Sequence, residues 1–443
     1  MEHSQLLGTT FNCSCGKKHT VPTEELVYGK NAYNALLQRL LSGTIQNALI
    51  IADIRTYAAA GRLVENLLLK GGIAVSHFIV PDQDSESPVA DDATKDLLFE
   101  SILPADIYIA VGSGVINDLV KWTAYLKKKP FITVPTAASM NGYASANVAA
   151  TVDGLKVLFH AEACRAVYVD SRILHEAPYE MTASGLGDVL AKSVSSADWK
   201  LNHLLFDDYF CQFSVDLLKD LEPVYLDNPQ QIRKLEPNAV KALFEALLYS
   251  SIAMTITGTS SPASGAEHLI SHTLDMVADR DGRKHDLHGR QVGVASILMA
   301  ALYERIMDIE KPQFREPPAT IDTAFWGTLA PVVAGEYQKK QDKLAKAANF
   351  LANETNWKKL QEHIKPGLVA ATRLKSCLAQ AKAAHSFSGI RDDGQPLQRE
   401  KFRAVVVNAH QMRERFTILD VAVMLGIIPD EIDQLIEKWV SDI

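Results

Sequence analysis

Through the first 170 residues, apolar positions switch repeatedly between short continuous runs and the spacing of a helical stripe. Ala48-Leu-Ile-Ile-Ala52, residues 73–80, Ile107-Tyr-Ile-Ala-Val111, Phe131-Ile-Thr-Val134 and Ala166-Val-Tyr-Val-Asp170 read as buried strands. Between them, residues 31–41, 58–69, 91–101 and 115–125 carry helical periodicity, punctuated by Gly71-Gly72 and Pro81. This alternation predicts a mostly parallel sheet with helices on both faces and ligands beyond the carboxyl ends of the strands. Residues 148–159, interrupted by Asp153-Gly154, read as a β-hairpin. From residue 178 onward helical spacing dominates, as over 204–221, 239–257, 291–307 and 402–416, while 386–398 reads as a surface loop. The expectation is an α/β Rossmann-like domain over residues 1–178 and an all-α domain over 179–443.

Length and composition agree with two substantial cores: 443 residues, 47% hydrophobic and 22% charged. A formal charge of -8 with no Lys/Arg-rich block argues against a nucleic-acid partner. The amino terminus lacks the layout of a signal peptide, and no apolar run approaches the roughly 18 residues that cross a bilayer, so a cytoplasmic protein without a membrane partner is expected. Five cysteines, at 13, 15, 164, 211 and 377, are an odd number spread over a large chain, unlike a disulfide framework. Cys13-Ser-Cys15-Gly-Lys-Lys-His19 offers three zinc ligands with no fourth nearby, and reads first as a tight surface turn.

Candidate chemistry lies at strand ends and in the helical half. Gly112-Ser113-Gly114, between a strand and a helix that opens with Val115 and Ile116, would let a cofactor phosphate approach the helix's amino end. The alternative is a glycine turn needed only for packing. Asp118 in the first helical turn suits the dipole, and Asp53 at a strand end could accept from an adenosine ribose, favouring NAD over NADP. Thr136 and Ser139 follow another strand and could bond a nicotinamide or cap the next segment. Gly185-Leu-Gly-Asp188 reads as a turn before a helix over 189–199, which leaves Asp188 as either an N-cap or a metal ligand. Over 264–275 a helix would place His268 and His272 on one face, with Ile270, Leu274 and Val277 packing on roughly the opposite side. With His288, one oxygen and two nitrogens could hold Zn²⁺, Fe²⁺ or Ni²⁺ and leave a position open for substrate.

These motifs, in this order, resemble the glycerol-1-phosphate dehydrogenases: Gly112-Ser-Gly-Val-Ile-Asn-Asp118, Pro135-Thr-Ala-Ala-Ser139, Gly185-Leu-Gly-Asp-Val-Leu-Ala-Lys192, Ser264-Gly-Ala-Glu-His-Leu-Ile-Ser-His272 and Leu287-His-Gly289. The Cys-x-Cys-Gly turn and Arg413-Glu-Arg-Phe-Thr-Ile-Leu419 are similar to the bacterial branch of that group, whose wider kin are iron-containing alcohol dehydrogenases, glycerol dehydrogenases and dehydroquinate synthases. The resemblance implies a dehydroquinate synthase-like fold, NAD(H) or NADP(H), one divalent metal, a homo-oligomer and reduction of dihydroxyacetone phosphate to sn-glycerol 1-phosphate. It places the metal on Asp188, His268 and His288, and substrate on Asn141, Asp188 and His272. Cofactor contacts fall on Asp53, Gly112 to Ile116, Thr136, Ala137, Ser139 and Ser145. Two positions depart from the pattern: Asn141 replaces an aspartate, and Ser260-Ser-Pro262 replaces Ser-Arg-Pro. The rival readings are a dehydroquinate synthase-like lyase using NAD transiently, which would consume no net NADH, and a non-catalytic dinucleotide-binding protein.

Overall fold

The computed structural model describes residues 3–83, 87–152 and 155–442. The chain forms two compact units, one of residues 1–185 with 213–260 and the other of residues 186–212 with 261–443. The chain therefore passes between units at three places, where a single boundary near residue 178 is expected from the patterning.

The first unit is built on six parallel strands. In chain order these are β3 (Glu25–Tyr28), β4 (Asn47–Asp53), β5 (Ala74–Val80), β6 (Ile107–Gly112), β7 (Phe131–Pro135) and β10 (Ala166–Val169), after a small pair β1 (Thr10–Asn12) and β2 (Lys18–Thr20). The order across the sheet is β3-β10-β7-β6-β4-β5, and every pairing is parallel. Strands β6 and β7 are buried along their whole length, as an unbroken apolar run requires when helices cover both faces. Residues from β4, β6, β7 and β10, with Leu36, Leu40, Val64 and Leu68 from flanking helices, make one core cluster. β3 was not legible from patterning because Glu25-Leu-Val-Tyr28 is too short to display a period. The predicted hairpin is present as β8 (Asn147–Val152) against β9 (Leu155–His160), while its turn at Asp153-Gly154 lies outside the described residues.

Helix Pro237–Thr257 also belongs to this unit and explains why the unit extends past residue 178. It is apolar over most of its surface and long and apolar enough to cross a membrane, contrary to the expectation that no segment of the chain is, but 83% of its most apolar window is buried inside the protein. The hydroxyls of Ser251 and Thr255, one turn apart, accept from the backbone amides of Ala144 (3.1 Å) and Ala146 (2.9 Å). They hold the loop that carries Ser145.

The second unit is helical, with Lys192–Phe206, Ala266–Arg280, His288–Met307 and Ala330–Leu351 its longer members. Two predicted helices are shorter than their apolar spacing suggests. The 204–221 segment breaks where Asp207 adopts a left-handed φ of 57° and ends the helix Lys192–Phe206. The 402–416 segment is helical only over Arg399–Asn408, followed by a 3-10 turn Ala409–Gln411. There Gln411 leaves the helical course to accept from Trp326 Nε1 at 2.7 Å, and Thr417 and Asp420 form a capping box that starts the separate helix Ile418–Met424. The expected loop 386–398 contains a short ladder, Arg391–Asp392 with Gln395–Pro396, turned by left-handed Asp393 and Gly394.

Candidate metal centre

Gly185-Leu-Gly-Asp188 is not a turn: it lies inside helix Tyr179–Leu190, so Asp188 sits in that helix's last turn and not at an N-cap. The glycines serve a different purpose. A Cβ on Gly187 would stand 2.0 Å from the carbonyl oxygen of Gly289, and one on Gly293 would stand 2.9 Å from the Gly187 Cα. Only bare backbone on both sides lets the end of this helix rest against the start of His288–Met307. That approach delivers Asp188 to His288.

Helix Ala266–Arg280 supplies the third member. Its first amides are received by side chains: Gly265 N donates to Glu267 Oε1 (2.7 Å) and Ala266 N to Asp198 Oδ2 (2.7 Å). A Cβ on Gly265 would meet Asp198 Oδ2 at 2.6 Å and the backbone Cα of Ser195 at 2.9 Å, which favours glycine at this position. The expected packing stripe is present, with Ile270, Leu274 and Val277 buried, but the face that carries His268 and His272 is buried as well, at 4% and 7% exposure. One ligand atom each from Asp188, His268 and His288 lies within 4.8 Å of the others.

The outer bonds fix which nitrogens face inward. His268 Nδ1 donates to Glu267 Oε1 at 2.8 Å, so its Nε2 is the basic nitrogen, and it stands 3.6 Å from Asp188 Oδ1. Ligands about 2.0–2.2 Å from a four-coordinate ion stand about 3.3–3.6 Å apart, so the spacing fits a shared cation. The orientation of His288 is set by three residues. Asp275 Oδ1 accepts from Gln291 Nε2 (3.1 Å), which turns Gln291 Oε1 toward the Ser271 hydroxyl, and that hydroxyl donates to it at 2.7 Å. With its one proton so committed, Ser271 must accept from His288 Nδ1 at 3.1 Å, leaving Nε2 as the donor atom to a metal.

Burial on its own would lower the His268 imidazole, but its bonds to Asp188 and Glu267 outweigh that and raise it to about 9. An imidazolium between two buried carboxylates marks a position that demands positive charge, and a divalent cation meets the demand more fully than one proton. Behind Glu267, burial and then the Glu267 charge push Asp198 up to about 7, against bonds from Tyr303, Ala266 N and Ile418 N. Arg415, whose guanidinium bonds the Ser264 carbonyl, faces both acids. Glu267, Ser271, Gln291, Asp275 and Asp198 escaped the sequence reading. The only local signal was the glutamate adjoining His268. His272 lies one turn from His268, its ring centroid 6.0 Å from that of His268 and 5.6 Å from that of His288.

The candidate cofactor residues gather in the first unit, most of them at the carboxyl ends of β4, β6 and β7. Gly112 closes β6, where a Cβ would strike the Ile116 side chain at 2.6 Å, while Ser113 and Gly114 start helix Gly114–Lys127 and Val115 is exposed at its surface. Thr136 N donates to Gly112 O (3.1 Å), joining the two strand-end loops. Ala137 O receives the Tyr143 hydroxyl at 2.5 Å, and Ser139 Oγ lies 3.4 Å from that hydroxyl. Ser145 Oγ accepts from Asn147 N (3.0 Å), and Asn141 lies in the same loop, half-buried. Asp53 is more than a solvated strand end: it caps the following helix through Arg55 N (2.7 Å) and Thr56 N (3.1 Å). Asp118 pairs with the wholly buried Lys121 at 2.9 Å, whose ammonium also donates to Gly142 O and Asn147 O. That pairing gives Asp118 a loop-holding task in addition to any dipole effect.

Comparison with known proteins follows the same lines. A family model described as iron-containing alcohol dehydrogenase matches residues 27–178. Glycerol-1-phosphate dehydrogenase [NAD(P)+] from Halalkalibacterium halodurans is 33% identical over 409 residues, covering 92% of this chain and 94% of that protein. Among solved structures, glycerol dehydrogenase from Schizosaccharomyces pombe aligns with a TM-score of 0.61 at 15% identity, over 94% of this chain and 90% of that one. Sulfoacetaldehyde reductase from Bifidobacterium kashiwanohense in complex with NAD+ aligns with a TM-score of 0.59 at 15% identity, over 95% and 98%. These two share the fold. By its likeness to the Halalkalibacterium halodurans protein, the chain belongs to the glycerol-1-phosphate dehydrogenase family, within the iron-containing alcohol dehydrogenases.

Proposed function

We infer that the chain is an NAD(P)-linked, metal-dependent oxidoreductase that reversibly reduces dihydroxyacetone phosphate to sn-glycerol 1-phosphate. The observation that carries this reading is the convergence of Asp188, His268 and His288 with both imidazoles turned to present Nε2. A divalent cation held there, zinc, nickel or iron, would act as a Lewis acid toward the substrate oxygen, and the reduced nicotinamide would supply the hydride. Asp188 offers one oxygen to the cation, and as a buried carboxylate it sets the net charge of the site. Glu267 and Ser271 hold the two ligating rings in one tautomer, so no reorientation is needed when substrate arrives. His272, one turn along the same helix, is placed to hold or pass the proton that the carbinol oxygen gains, a task suited to an imidazole. Gly112, Ser113 and Gly114 offer backbone amides to the cofactor pyrophosphate, and Asp53 at the end of β4 favours a ribose with an unmodified 2′-hydroxyl. Thr136, Ala137, Ser139 and Ser145 would line the nicotinamide end. Asn141 presents a mixed donor and acceptor to substrate in place of a carboxylate.

His268→Ala tests the assignment. With two ligands left, the protein is expected to lose both bound metal and turnover with dihydroxyacetone phosphate while still binding NADH. Full metal occupancy in the variant, or turnover within a few-fold of the parent, would contradict it. Net consumption of NADH in the same assay separates reduction from a lyase reaction.

A further inference from the structure

Three charged side chains lie together beyond the ends of β4 and β5, all within the first unit. The register that pairs Ile51 of β4 with Ala110 of β6 brings these strands to their ends together, at Asp53 and at Gly112. A pyrophosphate received at the Gly112 turn would therefore set its adenosine ribose over the end of β4. Asp53, only 8% exposed, spends Oδ1 on its capping bonds with Arg55 N and Thr56 N. A carboxylate has two acceptor oxygens, so Oδ2 can accept from a ribose hydroxyl.

Arg55 follows two residues later, where a guanidinium would serve a coenzyme whose ribose carries a 2′-phosphate. In this structure that guanidinium is engaged. Its Nη2 and Nη1 donate to Asp82 Oδ1 and Oδ2 at 2.6 and 3.1 Å, and its Nε stands 3.3 Å from Asp53 Oδ1. A phosphate would use the same fork of N–H groups, so Asp82 and a 2′-phosphate compete for one set of donors. Both partners are presented by fixed backbone. The capping box of Asp53 and Thr56 holds the turn of Arg55. Asp53 pairs with Val80 across β4 and β5, which puts Asp82 just past the end of β5. The next residue, Gln83, donates through Nε2 to Asp91 Oδ2 (2.9 Å) and Thr94 Oγ1 (2.8 Å), and through its amide to Ser87 O (3.1 Å). An exposed pair held bidentate on a fixed backbone gives up less side-chain freedom than two mobile chains would. Two carboxylates against one guanidinium leave a net negative charge where the phosphate would enter.

We propose that Asp82 is a positioning residue for coenzyme choice, withholding Arg55 from a 2′-phosphate so that the chain favours NADH over NADPH. The proposal rests on the nicotinamide cofactor inferred above. NADH presents a hydroxyl at this point and leaves the Arg55–Asp82 pair in place. NADPH adds a group of about -1.5 to -2 charge, which must take the guanidinium from Asp82 while approaching both carboxylates. Neutralising Asp82 removes one of those charges and frees the fork.

The test is equilibrium binding of NADH and NADPH to the full-length protein, read from the fluorescence of the reduced nicotinamide. The competitors 5′-AMP and adenosine 2′,5′-bisphosphate, which differ only in the 2′-phosphate, report on the same contact without the nicotinamide. The parent is expected to bind NADH about tenfold or more tightly than NADPH, and Asp82→Asn to narrow that ratio about tenfold, the order expected for one nearby charge in a solvated setting. The two competitors should shift the same way. Adding Arg55→Ala to Asp82→Asn should cancel the gain, since the donor that Asp82→Asn releases is then gone. A purely structural role for Asp82 would weaken both coenzymes together and leave the ratio where it was. A ratio unmoved by Asp82→Asn, a gain that survives Arg55→Ala, or a parent that binds NADPH as tightly as NADH overturns the proposal. A parent that binds neither coenzyme overturns the cofactor reading itself.

Discussion

Ser271 touches no ligand position of the proposed metal, yet the tautomer of His288 depends on it. Its hydroxyl stands between His288 Nδ1 and Gln291 Oε1, at 3.1 and 2.7 Å, and Gln291 is itself oriented by Asp275. Ser271→Ala leaves His288 free to carry its proton on either nitrogen, and Glu267→Gln removes the carboxylate that receives His268 Nδ1–H. Each is expected to weaken metal binding about 10- to 100-fold with little change in overall helicity, read by competition with a chelator of known affinity. Unchanged affinity in both would show that these bonds do not orient the rings. As candidates, the proposed ligands were legible in the sequence, His268 and His288 through a local histidine pattern and Asp188 through the Gly185-Leu-Gly-Asp188 motif. Their supports were not: Ser271 and Gln291 are twenty residues apart, Asp198 and Ile418 are 220 apart, and no period connects them.

At the scale of elements, the decisive feature is how closely helix Tyr179–Leu190 meets His288–Met307. A methyl group at Gly187 would lie 2.0 Å from Gly289 O, a backbone atom that cannot swing aside. Gly187→Ala therefore forces the helices apart and carries Asp188 with them. It should cost at least the 1–3 kcal/mol of ordinary overpacking and lower metal occupancy as well. A denaturant titration and metal analysis check both effects, and a variant as stable and as fully metallated as the parent would refute the close-approach argument. A second element rests on one ion pair: Lys340 and Asp420 are both fully buried, 3.0 Å apart, and Asp420 also accepts from Thr417 N to cap helix Ile418–Met424. Lys340→Met takes away the ammonium and leaves the buried acid with the Thr417 amide and His410 Nδ1, 3.5 Å away, so a loss of about 3 kcal/mol is expected by denaturant unfolding. A loss under 1 kcal/mol would mean that water reaches the acid. Periodicity located most helices but overran two of them, because apolar spacing continued through Asp207 and past Asn408 while the polar groups there turned to tertiary partners. It placed His268 and His272 together but gave no sign that the helix is buried on every side from Ala266 to Ala278.

Over the whole molecule, alternation of strand and helix patterns was enough to anticipate a parallel sheet followed by a helical region. The strand order was not legible, since it depends on which crossovers pass over which neighbours, nor was the return of residues 213–260 to the first unit. That return is made by side chains: Ser251 and Thr255 bond the backbone of residues 144 and 146, more than a hundred residues away. Family membership rests on a relative matched over 92% of the chain, so the match takes in residues of both units. The central claim is that a cation gripped by Asp188, His268 and His288 is required for hydride transfer to a small phosphorylated ketone. Its most direct test is the rate of NADH oxidation with dihydroxyacetone phosphate by rigorously demetallated protein, before and after zinc, nickel or iron is restored. The account predicts negligible oxidation without metal and recovery on adding it back to the parent but not to His268→Ala. Undiminished oxidation by the metal-free protein would contradict it.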